Sequence, residues 1–358
     1  MRPVHRRSGS WNVLDHETSD RRGSPFRSRI TWTAVLAASV LSSCKPTSGQ
    51  LTREASSSVA SKACAESVGS DPRDIVCRRW ACGHAGLTAA AWNGDAKTCA
   101  GGQIDEAARE RALRLVNTYR FLAGVPEVDS EPAWTAPAQD CALLAHANGK
   151  LSHSPPRDWS CWSDRGARAS AVSLIANRSA PLAIDPFIED PGNESTMVHR
   201  RWLLSEKIHR IALGSTDRFT CALVDGRELE DETQSVAETS EEPEASEGQA
   251  LSAAARPWVA WPPAGPVPID VFRRTRTDAI GWTIQSSSLD LDGASVEVRV
   301  DGERRAVKVA PLERTLGSLT AIRFVPVGWS TEPGRRYDVH AVKDDIVIDV
   351  GVEPVECP

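Results

Sequence analysis

Nine cysteines are the feature that most constrains how this 358-residue chain can fold. That many thiols are a liability in a reducing compartment and become structural crosslinks in an oxidising one. Cys44 belongs to a separate N-terminal motif, which leaves an even number for disulfides. The cysteines therefore predict an exported, disulfide-bonded protein. The residues expected to pair are Cys64, Cys77, Cys82, Cys99, Cys141, Cys161, Cys221 and Cys357.

The start of the chain resembles a lipoprotein export signal. Arginines precede an apolar run over residues 30–40, which ends in Leu-Ser-Ser-Cys at residues 41–44. The run is too short to span a bilayer comfortably, so a signal peptide over residues 1–43, with lipid on Cys44, is favoured over a transmembrane helix. An ordinary secretory signal is the alternative. Lys45 rather than Asp follows the cysteine, which favours the outer membrane of the cell envelope.

The charge of the chain argues against nucleic acid as a partner. The formal net charge is −6, and residues 1–43 hold seven arginines against three acids, so the remainder is four charges more negative. An acidic protein without a basic stripe binds nucleic acid and anionic headgroups poorly. We therefore expect membrane attachment through the lipid anchor only.

Composition divides the chain after the signal into five segments. In the first Cys-rich segment, a zinc knuckle is the alternative to disulfides, but four residues separate Cys77 and Cys82 instead of the usual two. A later stretch is rich in acidic residues, Ser and Thr and contains almost no apolar residues, which is the composition of a solvated linker. The predicted segments are a flexible tether at 44–62, the Cys-rich segment at 63–103, a helical domain at 104–225, a disordered acidic linker at 226–256 and an Ig-like β-sandwich at 257–358.

Periodicity predicts the elements of both domains, and together they give an α+β fold class. Asp105 and Gly124 bound a first helix, and a second runs from Thr135 to Asn148. Alternation of apolar and polar residues predicts a hairpin near 208–224. After residue 257 it predicts short strands without helices, with a tight turn at Asp301-Gly302. Further helical segments are expected at 165–177, at 186–190 and from Ser195 to 204.

Several motifs in residues 105–224 resemble the CAP superfamily (SCP-like), which includes cysteine-rich secretory proteins, antigen 5 and plant pathogenesis-related proteins. The C-terminal part resembles, more loosely, a bacterial branch in which Trp-Pro-Pro opens a β domain. The resemblance implies an α-β-α sandwich for the helical domain. The matching stretches are LVNTYR at 115–120, AGVP at 123–126, AHANGKLSH at 145–153, HRRWL at 199–203 and WPP at 261–263.

The resemblance also implies a cavity that holds two histidines and two acids. The histidines would be His153 and His199, and one acid would be Asp190 or Glu189. The region that should supply the second acid, residues 171–175, contains none. Two neutral imidazoles with one acidic helper can bind a divalent metal such as zinc, but only as a labile ion. This favours binding over catalysis.

Other candidate residues are weaker. Trp159 and Trp162 can line a ligand groove or cap the core beside a cysteine. His146 is interpreted as a surface residue, and Arg200 and Arg201 as an exposed helix face that pairs with acids such as Glu194 rather than as an anion site.

Three functions remain open at this stage. The first is a surface-anchored binding module for a small apolar ligand, a wall component or another protein. The second is a metal-dependent hydrolase of envelope or extracellular substrates, although the sequence carries no G-x-S-x-G or H-E-x-x-H motif. The third is an adhesion part of the envelope.

Proximity along the chain also predicts one particular disulfide. Cys141 and Cys161 flank a proline-rich loop, and a bond between them would close that loop.

Replacing Cys44 with serine should abolish incorporation of radiolabelled palmitate, because the thiol would carry the lipid. Labelling of cells that express the wild type or Cys44→Ser measures this directly. Equal labelling of both proteins would rule out lipidation at Cys44.

Overall fold

The computed structural model describes residue 64, residues 69–226 and residues 256–358. These residues form an α+β fold, which confirms the predicted fold class. The predicted signal peptide, Cys44, the tether and nearly all of the acidic linker lie outside them. Within the described ranges, no helix is long and apolar enough to cross a membrane.

Helices predominate in residues 69–226 and strands in residues 256–358. The helices are α1 (Pro72–His84), α2 (Glu106–Ala123), α3 (Pro132–Asn148), α4 (Asp164–Ala171), α5 (Ile184–Glu189), α6 (Val198–Leu203), α7 (Ile269–Arg274) and α8 (Thr277–Ile280). The strands are β1 (Asp129–Ser130), β2 (Ser173–Ala176), β3 (Arg210–Ser215), β4 (Thr220–Leu223), β5 (Val259–Trp261), β6 (Gly265–Pro268), β7 (Trp282–Ser286), β8 (Ser295–Val300), β9 (Glu303–Arg305), β10 (Val307–Pro311), β11 (Thr320–Pro326), β12 (Tyr337–Lys343) and β13 (Ile346–Val355).

A four-stranded sheet in the order β1-β3-β4-β2 forms the middle layer of the first half. Because side chains alternate along a strand, each register pair between β3 and β4 faces one side. Ala212 pairs with Leu223, and both pack with Trp134 and Ala138 of α3. The neighbouring positions in β3 and β4 belong to the main core together with α2 and α5. The sheet is thus covered by helices on both faces.

Capping residues set the ends of the two long helices. Asp105 accepts a hydrogen bond from the Ala108 N–H at 2.8 Å, and Gly124 ends α2 with a φ of 71°, as the sequence predicts. The start of α3 lies one turn before the predicted Thr135. Pro132 occupies its first turn and Glu131 caps it, and both favour a helix start at that point.

The predicted helix at 165–177 is wrong in its second half. It ends at Ala171, and β2 follows at once, paired antiparallel with β4. All four residues of β2 are buried between the helical layers, and a strand buried on both faces shows no alternation. An apolar run of this length does not distinguish strand from helix.

The second half contains two facing sheets, in the orders β10-β11-β7-β5 and β6-β13-β12-β8-β9. Trp282 of β7 lies 6.0 Å, centre to centre, from the ring of Tyr337 in β12, so the sheets share one core. The β8–β9 turn has positive φ at Asp301 and Gly302, as predicted. The expectation of strands without helices is wrong, since α7 and α8 precede β7.

One hydrophobic core runs through both halves. It includes α2 residues such as Leu115 together with Trp261, Trp282 and Val339. Trp261 packs edge-on against Tyr119 of α2, with ring centres 5.5 Å apart.

Two completely buried arginines of α6 connect the halves through hydrogen bonds. Arg200 donates to the carbonyl oxygens of Ile188 and Gly281, each at 2.7 Å. Arg201 donates to the Glu313 carbonyl at 2.5 Å and to the Ser318 hydroxyl. The interpretation of these arginines as an exposed helix face is wrong, because both are buried and donate to acceptors of both halves.

The loop before β11 approaches α6 so closely that glycine is required. Gly317 has a φ of 72°, and a Cβ there would lie 2.7 Å from the Arg201 carbonyl carbon. A larger residue would push the loop away from the buried guanidinium of Arg201.

The eight cysteines form four disulfides, which are typical of a protein that folds in an oxidising, extracytoplasmic compartment. The predicted bond between Cys141 and Cys161 is wrong. Cys141 faces the central sheet from α3 and reaches the strand β4, whereas Cys161 lies in a loop against the Cys-rich segment. The bonds are Cys64–Cys82, Cys77–Cys357, Cys99–Cys161 and Cys141–Cys221.

Removing the bond between α3 and β4 with the double change Cys141→Ala and Cys221→Ala should lower the free energy of unfolding by about 4 kcal/mol, because it closes a long loop in the unfolded chain. Denaturant unfolding under non-reducing conditions measures this. Peptide mapping of the wild type should recover the Cys141–Cys221 link, and recovery of Cys141 joined to Cys161 would contradict the fold.

Candidate functional site

The turn between α5 and α6 is organised by Asp190, which is completely buried. Its Oδ2 accepts hydrogen bonds from the backbone N–H groups of His199 at 2.9 Å and Arg200 at 3.3 Å. Its Oδ1 accepts from the Asn193 amide at 2.8 Å. Asp190 therefore caps α6, which begins at Val198 rather than at the predicted Ser195.

Asp190 also holds the side chain of His199. The imidazole Nδ1 lies 3.0 Å from Asp190 Oδ1, and the ring packs edge-on against Phe187 at 5.1 Å. An ionised carboxylate only accepts hydrogen bonds, so Nδ1 carries a proton. Nε2 has no hydrogen-bond partner within the described ranges. In the neutral imidazole this nitrogen has a lone pair for a ligand or a proton.

His153 is positioned in the same way by a different element. Its Nδ1 lies 2.8 Å from the carbonyl oxygen of Ser170 near the end of α4. A carbonyl can only accept, so Nδ1 again carries the proton of the neutral ring. Both predicted histidines thus have the tautomer that a metal-binding imidazole usually has.

The electrostatics of the turn include the arginines behind it. Burial lowers the pKa of Arg200 to about 9, and the negative charge of Asp190 opposes this shift. Burial also lowers the pKa of Arg201 to about 10. Both arginines stay charged at neutral pH, so Asp190 is balanced by cations as well as by hydrogen bonds.

The two candidate acids are occupied by other contacts. Glu189 forms an ion pair with Arg276 of the second half, and Asp190 uses both oxygens for the turn. Among the described residues, no group of three or more His, Cys, Asp and Glu side chains is arranged to hold a metal ion. The weak metal site at His153 and His199 stays a prediction.

The loop that carries Trp159 and Trp162 is rigidly attached to α3. The Asn148 amide donates to the Ser160 carbonyl at 3.0 Å, and its oxygen accepts from the Ser160 N–H at 3.0 Å. The Cys99–Cys161 bond fixes the same loop to the Cys-rich segment. Both tryptophans are half-buried, so part of each indole faces the outside.

The exposed side of this loop combines a cation with an aromatic ring. The guanidinium of Arg157 lies 5.0 Å from the centre of the Trp162 ring, within cation–π range. This pair gives the loop a surface that is apolar and positively charged at once.

His146 is not the surface residue that the sequence predicts. Its side chain is 15% exposed and lies 3.4 Å from Asp217, and its ring lies 4.8 Å from the Trp92 ring. The aromatic neighbour comes from the Cys-rich segment, far away in the chain, so the helical pattern around His146 could not reveal it.

Another histidine–carboxylate pair could not be predicted from the sequence. His84, at the end of α1, lies 3.1 Å from Asp185 of α5, and the hydroxyl of Tyr119 donates to the same carboxylate oxygen at 2.7 Å. His84 and Asp185 are 101 residues apart. No short-range pattern could relate them.

Comparisons with protein-family models, with curated proteins and with solved structures found no match. The similarity to the CAP superfamily therefore rests on the sequence motifs themselves and stays a prediction.

Changing Asp190 to asparagine should lower the free energy of unfolding by about 3 kcal/mol, because its amide nitrogen would face either the N–H groups of α6 or the Asn193 amide and the charge beside Arg200 would be lost. Urea unfolding at neutral pH measures the change. The matched control is Glu189→Gln, which removes a neighbouring carboxylate paired with an exposed arginine and should cost about 0–1 kcal/mol. Similar effects of the two variants would contradict the structural role of Asp190.

Proposed function

We propose that this protein is an exported, lipid-anchored binding module with a CAP-like central domain. The observation that carries this proposal is that both acids near His199 are already held by other contacts. Asp190 is used to build the α5–α6 turn and Glu189 is paired with Arg276, so neither is left to act as a third metal ligand. Two imidazoles alone would bind a metal weakly, which suits ligand or ion capture better than turnover.

The ligand surface in this proposal includes the tryptophan loop. Trp159, Trp162 and Arg157 offer apolar rings and one cation on a segment that is crosslinked to the rest of the protein. A rigid aromatic surface loses little conformational entropy when it binds. A small apolar ligand, a wall component or a protein with an apolar contact patch fits this chemistry.

Hydrolysis is the second candidate, because one observation favours it. The Asp190–His199 contact orients an imidazole with Nε2 available, as in a general base whose tautomer is fixed by a carboxylate. Such a base would still need a metal-held water and bound substrate. Activity that depends on added metal and on His199 would favour this candidate.

Calorimetric titration of the folded ectodomain with zinc tests the histidine assignment. Wild-type protein should bind one zinc weakly, and His153→Ala and His199→Ala should each reduce the affinity at least about tenfold, because each removes one of two ligands. The control is His209→Ala, which replaces an exposed histidine. Unchanged zinc affinity in the first two variants, with unfolding temperatures like the wild type, would remove the metal from the proposal.

A further inference from the structure

The His84 ring lies between two hydrogen-bond acceptors. Its Nδ1 is 3.1 Å from the carbonyl oxygen of Trp80, one turn earlier in α1, and its Nε2 is 3.1 Å from Asp185 Oδ1. A carbonyl cannot donate, and an ionised carboxylate cannot donate either. Both contacts are favourable together only when the ring carries two protons or when Asp185 is protonated.

The environment of Asp185 indicates that the carboxylate is the ionised partner. Its burial acts to raise its pKa, but the hydrogen bond and charge of His84, the Tyr119 hydroxyl and the charge of Arg274 together lower the pKa below its usual value. The Arg274 guanidinium lies 3.6 Å from the second carboxylate oxygen. The Asp185 carboxylate is therefore the acceptor in this contact, and the two acceptors around the ring fit a His84 side chain that carries both ring protons.

This ion pair joins the Cys-rich segment to the rest of the molecule. The His84 side chain is 8% exposed, and its ring lies 3.8 Å from the Trp80 ring. Tyr119 reaches the pair from α2, Asp185 from α5 and Arg274 from α7. Residues of four helices therefore meet at the His84–Asp185 pair.

Other contacts hold the same segment independently of pH. Cys77 in α1 is bonded to Cys357 after the last strand. Arg114 of α2 donates to the carbonyls of Cys82 and Ala85 at 3.0 and 2.9 Å. Loss of the His84 contact would therefore loosen the end of α1 without releasing the segment.

We propose that the His84–Asp185 pair is a pH-sensitive clasp that holds the end of α1 against α5 when His84 is protonated and loosens when it is neutral. A neutral ring keeps only one N–H. If that proton stays on Nδ1, the Nε2 lone pair faces a carboxylate oxygen, and if it moves to Nε2, the Trp80 carbonyl loses its donor. Either way one buried contact becomes unfavourable. The proposal does not depend on a metal or a ligand at His153 and His199.

The sign of the pH dependence follows from the two partners. The contacts of His84 are complete only while its ring carries both protons, so their stabilisation is lost in the direction of rising pH. The stabilisation from Asp185, whose pKa is lowered in the fold, is lost in strong acid as the carboxylate becomes protonated. The clasp is therefore weakened in both directions, by loss of a ring proton at higher pH and by protonation of the carboxylate in strong acid.

Hydrogen exchange of the full, disulfide-bonded ectodomain at pH 5.5 and pH 8 tests the clasp. After correction for the intrinsic pH dependence of exchange, peptides from α1 in the wild type should lose roughly tenfold in protection at the higher pH. His84→Gln should remove this pH dependence, because glutamine does not titrate. His209→Gln is the matched control at an exposed histidine and should retain it.

Asp185→Asn provides a second test if His84→Gln does not fold. If the amide nitrogen takes the place of Oδ1, it can donate to a neutral ring and to the Tyr119 oxygen, so α1 should be retained while its pH dependence disappears. The proposal is overturned if α1 in the wild type shows no pH-dependent change in protection. It is also overturned if both variants keep the wild-type pH dependence.

Discussion

The buried carboxylate of Asp190 accepts hydrogen bonds from the first N–H groups of α6 and so fixes the short helix that carries His199, Arg200 and Arg201. A helix of six residues is too short to be stable alone, so its position depends on contacts of this kind. From that position the two arginines extend into the second half of the molecule. The arrangement of the candidate site and the contact between the halves therefore depend on the same carboxylate.

Burying a charged group costs free energy unless each of its hydrogen-bond donors has an acceptor. The hydrogen-bond donors of Arg200 and Arg201 are satisfied mostly by carbonyl oxygens rather than by acids. Their hydrogen bonds therefore require a defined position of the opposing backbone. An apolar contact would tolerate small shifts between the halves, whereas these bonds would not. We interpret the arginine pair as a source of defined orientation more than of net stability.

Prediction from the sequence was correct where a local rule decides the structure. Asp105 and Gly124 bound α2 because capping depends on residues within one turn, and Asp301-Gly302 forms its turn because both positions adopt positive φ. It failed for contacts set by the tertiary fold. The partner of Cys141 lies in β4, the acceptors of Arg201 follow β10, and Asp185 meets His84 across the molecule. For the candidate site, the family resemblance implied Asp190 or Glu189 as the acid of the site with His199, but it did not show that Asp190 caps a helix.

The bond between Cys77 and Cys357 joins residues 280 positions apart, so most of the polypeptide forms a covalent ring. Cutting a single peptide bond anywhere inside that ring, for example in the acidic segment at 227–255, converts it to an open chain but does not produce two separate fragments. The cleaved protein would migrate as one species until a reductant reaches it. If an extracellular protease makes one such cut, the two parts of the chain therefore stay joined through the disulfide.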